Sequence, residues 1–312
     1  MRVVDVSESD CEVDAALLGV PIVAVGPLAD ASEFWLERAT FTLTEDTSDD
    51  RRVVTVGSLD VAVADLIERV QRWSIAAAIC DDVLRAVDPD GSALPGVVTE
   101  SLAYSTLQAG PEFAAWLADR GPVAMPDIPD PVQARRDGDT LHIAFNRPSR
   151  HNAFSTDARA ALLEALAVAQ LDSSVDEVVL TGNGPSFCSG GDLDEFGTFT
   201  DPAGAHLART RYSPALALDA VTARLGAACR AEVHGQVIGS GLEMAAFCGR
   251  VEAAPDSVFG LPELSLGLIP GAGGTVSVTR RIGRWRTAYL VLSGQKLNAA
   301  AALAWGLVDA VR

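Results

Sequence analysis

Four prolines fall between Gly121 and Pro131 (Pro122, Pro126, Pro129 and Pro131), and neither a helix nor a central strand can run through them. The chain must therefore be built on two sides of a linker. We assign residues 121–138 to this connector, 1–120 to an N-terminal segment and 139–312 to a C-terminal one. A length of 312 residues fits one large domain or two ordinary ones. With 48% apolar and 21% charged residues, the chain can bury a real core.

Charge narrows the partners. A formal net charge of −18 leaves no basic footprint for nucleic acid, so none is expected. An anionic small molecule must then find local cations or backbone N–H groups. The five cysteines (Cys11, Cys80, Cys188, Cys229, Cys248) show neither CxxC nor Cys/His spacing and read as reduced thiols packed in a core. Asp5, Glu8, Asp10 and Glu12 replace the basic start of a secretory signal. The apolar stretch 15–25 is broken by Gly19 and Pro21 and is too short to span a bilayer. A soluble, cytoplasmic protein without membrane association is expected.

Both segments mix strand and helix signals, which predicts an α/β fold. In the first, strands are expected at 21–25, 41–43 and 52–56, and helices at 59–77, 78–87 and 112–119. It has no histidine before position 120 and no chemical motif; its carboxylates read as a solvated face. In the second, strands at 140–145, 177–181, 230–233 and 258–260 alternate with helices at 156–169, 241–247, 283–292 and 299–305. Repeated β-then-α units imply parallel pairing with right-handed crossovers.

Three glycine-rich stretches carry the chemistry: Phe187–Leu193, His234–Glu243, and Phe259–Glu263 running on to Gly267–Thr275. None is a dinucleotide fingerprint, since no GxGxxG opens a helix with an acidic residue about twenty positions on. Gly271–Thr275 lacks the lysine of a phosphate loop, and Ser189 and Ser240 lie outside any GxSxG. Metal-ligand spacing is absent as well. What such loops can do is present backbone N–H groups to an oxygen on which negative charge develops. Gly190–Gly191 offers one donor loop, and Ser240 offers a second where the chain turns into a helix. Glu243 lies in the first turn of that helix, and Glu263 follows a short strand and Pro262. Taken singly, the two are an ordinary helix-start glutamate and an ordinary carboxylate.

In combination these motifs resemble the crotonase superfamily, the enoyl-CoA hydratase/isomerase family, over roughly residues 139–312. Asn146-Arg147-Pro148 with Asn152-Ala153 is similar to its opening turn, and Phe187–Leu193 to its first oxyanion loop. Gly239–Glu243 resembles the second loop with the first glutamate. Phe259–Thr275 resembles the second-glutamate segment, and Gly294 with Trp305–Val308 the closing helix. The resemblance implies a spiral of ββα units acting on an acyl-CoA thioester. It implies Glu243 and Glu263 as paired catalytic carboxylates and the N–H groups of Gly191 and Ser240 as the oxyanion hole. Gly190, Asp192, Leu193, Gly239, Pro262 and Gly271 are implied as substrate-binding positions.

No cofactor and no metal is expected beyond the coenzyme A of the substrate. Two glutamates imply a lyase that hydrates a 2-enoyl-CoA, as in fatty acid metabolism. Double-bond isomerisation, C–C hydrolysis, or a non-catalytic partner subunit are the alternatives. A trimeric or hexameric homo-oligomer is implied too.

Several positions depart from the family pattern. Ser240 stands where glycine is usual, Gly249 where aspartate is usual, and Arg150 and His151 where small or apolar residues are common. The family's C-terminal helical extension has no counterpart before Arg312, and residues 1–120 are expected to replace part of its packing. Residues 194–214 are expected to shape the acyl pocket. There His206, Arg209 and Arg211 form either a solvated face or a set of cations for phosphates or a polar acyl group.

Overall fold

The computed structural model describes residues 1–7, 19–121, 123 and 129–312. Cys11, the acidic residues Glu8, Asp10 and Glu12, the start of the apolar stretch 15–25 and most of the proline seam lie outside the described residues.

The N-terminal segment opens with four short strands, β1 (Arg2–Asp5), β2 (Ile22–Val25), β3 (Phe41–Thr44) and β4 (Val53–Thr55), with helix α1 (Glu33–Arg38) between β2 and β3. They pair in parallel in the order β1-β2-β3-β4. β3 is buried along its whole length, as a parallel strand covered on both faces must be. Four helices follow: α2 (Leu59–Arg72), α3 (Ser74–Ala86), α4 (Ala93–Gln108) and α5 (Pro111–Arg120). Ser58 caps α2 by accepting the Val61 N–H. The break between α2 and α3 falls at Trp73, not near residue 77, and α4 has no counterpart in the sequence expectation.

The C-terminal segment contains β5 (Val132–Asp137), β6 (Thr140–Phe145), α6 (Thr156–Leu171), β7 (Glu177–Gly182), α7 (Pro202–Arg211) and α8 (Pro214–Leu225). It continues with β8 (Cys229–Val233), β9 (Gln236–Ile238), α9 (Ser240–Phe247), β10 (Arg250–Ala253) and β11 (Val258–Gly260). α10 (Gly274–Ser293), β12 (Leu297–Asn298), α11 (Ala299–Trp305) and β13 (Ala310–Val311) end it. The connector is therefore shorter than 121–138. Val132–Asp137 is the edge strand of the large sheet, antiparallel to β6, and its charged residues keep that edge solvated. Likewise α7 occupies much of 194–214, and α10 joins two helices at the non-helical Gly283, the second of them being the helix expected at 283–292.

These elements wind as a spiral. Each turn lays one strand in a large sheet, ordered β13-β10-β8-β7-β6-β5, and one in a small sheet, then returns through a helix. β8-β9-α9 and β10-β11-α10 are complete turns, with β9 and β11 parallel in the small sheet. Two single bridges, Phe154 with Gly191 and Cys188 with Val237, extend the small sheet across the loops that follow β6 and β7. Gly249 fits this winding, because a side chain there would overlap the Gly226 carbonyl.

One continuous apolar core runs through both segments, from Phe41, Leu66, Leu84 and Val97 to Phe145, Leu242, Val276 and Leu290. α10 is where they meet. Val276 packs on Gly96 of α4, and Tyr289 meets Phe41 edge-on at 5.5 Å. Arg284 donates to the Glu37 and Ala39 carbonyls, and Arg69 to the Leu292 carbonyl. Among the described residues no helix is long and apolar enough to cross a membrane.

Candidate active site

Glu243, Glu263, Gly191, Ser240 and Gly271 come together in one cavity, which α4 of the N-terminal segment closes with Val97, Glu100, Ser101 and Tyr104. Asp192 reaches the cavity as well. Gly190, Leu193, Gly239 and Pro262, expected at the substrate, are absent from the lining. Three of these have evident duties elsewhere. The Gly190 carbonyl accepts the Phe154 N–H, and the Leu193 carbonyl accepts from Arg120. Gly239 has a φ of 51°, and a Cβ there would lie 2.6 Å from Glu263 Oε1, so glycine lets Glu263 approach α9.

The donors of the expected oxyanion hole have a simple origin. In the Phe154–Gly191 bridge, Phe154 N–H binds the Gly190 carbonyl and Asp192 N–H binds the Phe154 carbonyl. Gly191 itself takes no part, so its N–H lies on the other side of the extended chain, where the residue lines the cavity. Ser240 is the first residue of α9, and a first-turn N–H has no acceptor inside its helix. The Ser240 side chain is buried, with the Cys188 thiol as its polar neighbour.

Asp192 is a lock, not a free ligand. Its carboxylate, only 3% exposed, pairs with Arg147 at 2.8 Å and with Arg150 at 2.8 Å. Those arginines hold its carboxyl below the usual range against the opposing effect of burial. Arg150, a departure from the family pattern, thus ties the turn at 146–153 to the Phe187–Leu193 loop. His151, the other departure, bonds Ser186 Oγ through Nδ1 at 2.9 Å.

The carboxylates are arranged around the start of α10. That helix has no side-chain cap of its own, since Gly273 stands at its N-cap position. Two glutamates from other elements cap it instead. Glu243 Oε2 accepts the N–H groups of Ala272 at 2.7 Å and Gly274 at 2.8 Å. Glu100 takes the alternate pair: Oε1 accepts from Gly273 at 2.7 Å, and Oε2 from Thr275 N–H at 2.9 Å and Thr275 Oγ1 at 2.7 Å. Four consecutive amides are thereby satisfied by two carboxyl groups at the positive end of a helix.

Glu100 is the functional position that sequence reasoning missed. Exposures of 1% for Glu100, 2% for Glu243 and 8% for Glu263 put three carboxyl groups in one dry region. Burial raises all three. Glu243 is pushed up to about 7, with its backbone hydrogen bonds opposing the rise. Glu100 is pushed up to about 8 by burial and then by the Glu243 charge. Glu263 is raised well above the usual range by burial and by the same neighbour, and its Oε2 has no hydrogen-bond partner. Like charges this close resist joint ionisation, so the amide-bound Glu243 is the group that ionises first and Glu263 keeps its proton. Among the described residues no group of three His, Cys, Asp or Glu is placed to hold a metal ion.

Comparison with known proteins agrees with the spiral. The enoyl-CoA hydratase/isomerase family model matches residues 136–312. The 2,3-dehydroadipyl-CoA hydratase of Escherichia coli (strain K12) is 37% identical over 171 residues, covering 55% of this chain and 65% of that protein. The chain thus spans a little under two thirds of the first curated relatives it matches. A solved enoyl-CoA hydratase from Thermoplasma volcanium GSS1 superposes with a TM-score of 0.50 at 36% identity, over 58% of this chain and 71% of that one. A putative enoyl-CoA hydratase from Rhodopseudomonas palustris CGA009 gives 0.53 at 29% identity, over 61% and 71%. Motif order, spiral winding and family match lead to one conclusion: this chain belongs to the enoyl-CoA hydratase/isomerase family of the crotonase superfamily.

Proposed function

We propose that the protein hydrates the 2,3-double bond of an acyl-CoA thioester, with no cofactor beyond the coenzyme A of its substrate. The observation that carries this reading is the unequal state of two buried glutamates facing one cavity. Glu243 Oε2 is held by two amides, which leaves Oε1 to orient a water. Glu263 presents an unpartnered Oε2, and burial keeps its proton on. Ionised Glu243 takes a proton from water as its oxygen bonds to C3. The π electrons move through C2 onto the thioester oxygen, where the N–H groups of Gly191 and Ser240 meet the developing charge. Glu263 then delivers its proton to C2, and the thioester carbonyl re-forms. Hydratase names among the relatives, including the E. coli dehydroadipyl-CoA enzyme, support the same direction.

Loss of conjugated thioester absorbance on offering 2-enoyl-CoAs tests this. Glu243→Gln and Glu263→Gln should each lower kcat by about 10²–10⁴, the usual worth of a positioned acid or base, with KM little changed. Activity that survives Glu243→Gln but not Glu263→Gln would replace hydration by double-bond movement.

The pH profile should follow the same assignment. The forward reaction needs Glu243 ionised and Glu263 protonated, so kcat/KM should rise towards about 7 as Glu243 loses its proton. It should fall again at higher pH, where Glu263 ionises. The two limbs belong to the coupled set of carboxyls. A rate independent of pH between 5 and 9 would contradict the division of roles.

A further inference from the structure

Two arginines in the cavity form no ion pair with any described residue. Arg159 of α6 lines it, and its guanidinium makes no hydrogen bond or ion pair with a described residue. Arg209 of α7 lines it too, and every acceptor it touches is neutral. Its Nε donates to Ser101 Oγ at 3.2 Å, Nη1 to Gln108 Oε1 at 2.8 Å, and Nη2 to the Ser101 carbonyl at 3.4 Å and to Ser105 Oγ. The guanidinium lies 4.6 Å from the centroid of the Tyr104 ring. Four of its five N–H groups are therefore spoken for. The group is held rigidly, and no carboxylate of a described residue bonds to it.

This is unusual for the chain. With 42 acidic against 24 basic residues, an arginine easily finds a carboxylate, as Arg52, Arg85, Arg147, Arg150 and Arg280 do. The carboxylates nearest to hand are otherwise engaged. Glu100 turns both oxygens to α10, and Glu195 gives its own to Thr156. A cation kept partly out of water without a partner is costly unless a ligand supplies the anion.

We propose that the cavity takes an acyl group with a negative charge at its far end, a carboxylate seated between Arg159 and Arg209. This deepens the acyl-CoA reading and rests on it. The placement favours the acyl chain over the phosphates of coenzyme A. Tyr104, on which Arg209 stacks, packs over Gly271, where a Cβ would meet its ring at 2.5 Å. The next residue, Ala272, donates its N–H to Glu243. The cation therefore stands one ring away from the acid–base pair. The Tyr104 hydroxyl, with no partner among the described residues, supplies a further donor.

The test offers the intact 312-residue chain two matched pairs of thioesters. Hexanoyl-CoA and its ω-carboxylate counterpart are titrated calorimetrically for binding, and the corresponding 2-enoyl-CoAs are followed for turnover. Wild type should favour the ω-carboxylate member by roughly tenfold to a hundredfold, the worth of one or two charge-assisted hydrogen bonds. Arg159→Gln and Arg209→Gln should each bring the ratio towards one. Arg209 also stitches α7 to α4, so its variant can fail to fold, whereas the Arg159 side chain bonds to no described residue and its variant carries the test alone. An Arg159→Lys variant should recover part of the preference.

No preference in wild type overturns the proposal. So does an equal loss for both members in Arg159→Gln that disappears when the 3′-phosphate is removed, because the arginines would then serve coenzyme A. Retained binding preference without turnover would sink hydration and leave the anion pocket standing. Failure of both thioesters to bind would sink the acyl-CoA reading and the pocket together.

Discussion

A fragment comprising residues 129–312 alone should be recovered insoluble, or without a cooperative thermal transition, and not as a folded but inactive enzyme. The reason lies in α10, which completes the last turn of the spiral while burying another face against α2, α3 and α4. Removing the N-terminal segment uncovers Val276 and Tyr289, and strips Phe196 of the stacked pair Phe113–Trp116. Each such side chain is worth about 1.5–3 kcal/mol of burial. The same deletion leaves the amides of Gly273 and Thr275 without Glu100, at about 1–3 kcal/mol for each buried donor. Together these losses reach the roughly 5–15 kcal/mol that holds a typical domain folded. Near-ultraviolet dichroism and a thermal melt of the fragment decide it. A sharp transition close to that of the intact protein would show that the spiral is self-sufficient.

That dependence was only partly legible in the sequence. Glu243 and Glu263 could be found because each sits in a glycine-rich stretch close to the helix or short strand that positions it, so pattern and chemistry share one window. Glu100 lies 173 and 175 residues from the two amides that it holds, in a helix whose apolar residues are spread all round instead of along one stripe. The cause is physical: the one buried face of α4 carries the polar Glu100, Ser101 and Ser105 beside Ala93, Val97, Tyr104 and Leu107, while Leu94 and Leu102 are exposed on the other side. Pro95 and Gly96 near its start further weaken the helical signal. Among 42 acidic residues, nothing local distinguishes a glutamate that will cap a distant helix. β5 was lost for the opposite reason. An edge strand of charged residues has no buried face to print a period of two on the sequence. Asp192 was legible as a residue at the cavity, but the motif does not show the two arginines that pair with it.

Glu100→Gln should produce the most telling change of any single substitution outside Glu243 and Glu263. Glutamine keeps the size of the side chain and one acceptor oxygen, but its nitrogen cannot accept the Thr275 N–H. One buried donor is left unpaired, at about 1–3 kcal/mol. Glu100→Leu abandons all three donors that Glu100 now serves and should prevent folding. The glutamine variant should lower kcat roughly 10–100-fold with a smaller change in KM, because displacing Gly273 and Thr275 moves the neighbouring amides that aim Glu243. The stability readout separates this from a general loosening. Glu100 holds its proton up to about 8 in the folded protein, against an ordinary value of 4.5. Between those values the folded state binds more protons than the unfolded one, so this group makes stability fall as pH rises from about 4.5 to about 8. Glu100→Gln removes that contribution. The variant should therefore melt below wild type at pH 5, with the gap narrowing by on the order of a few kcal/mol by pH 9. Thermal midpoints of the two proteins across that range measure it, and a gap that stays constant would mean that Glu100 does not carry a raised proton affinity. In that case the amides at the start of α10 would be held by an ionised pair, and the proton needed at C2 would have to be kept on Glu263 by burial alone.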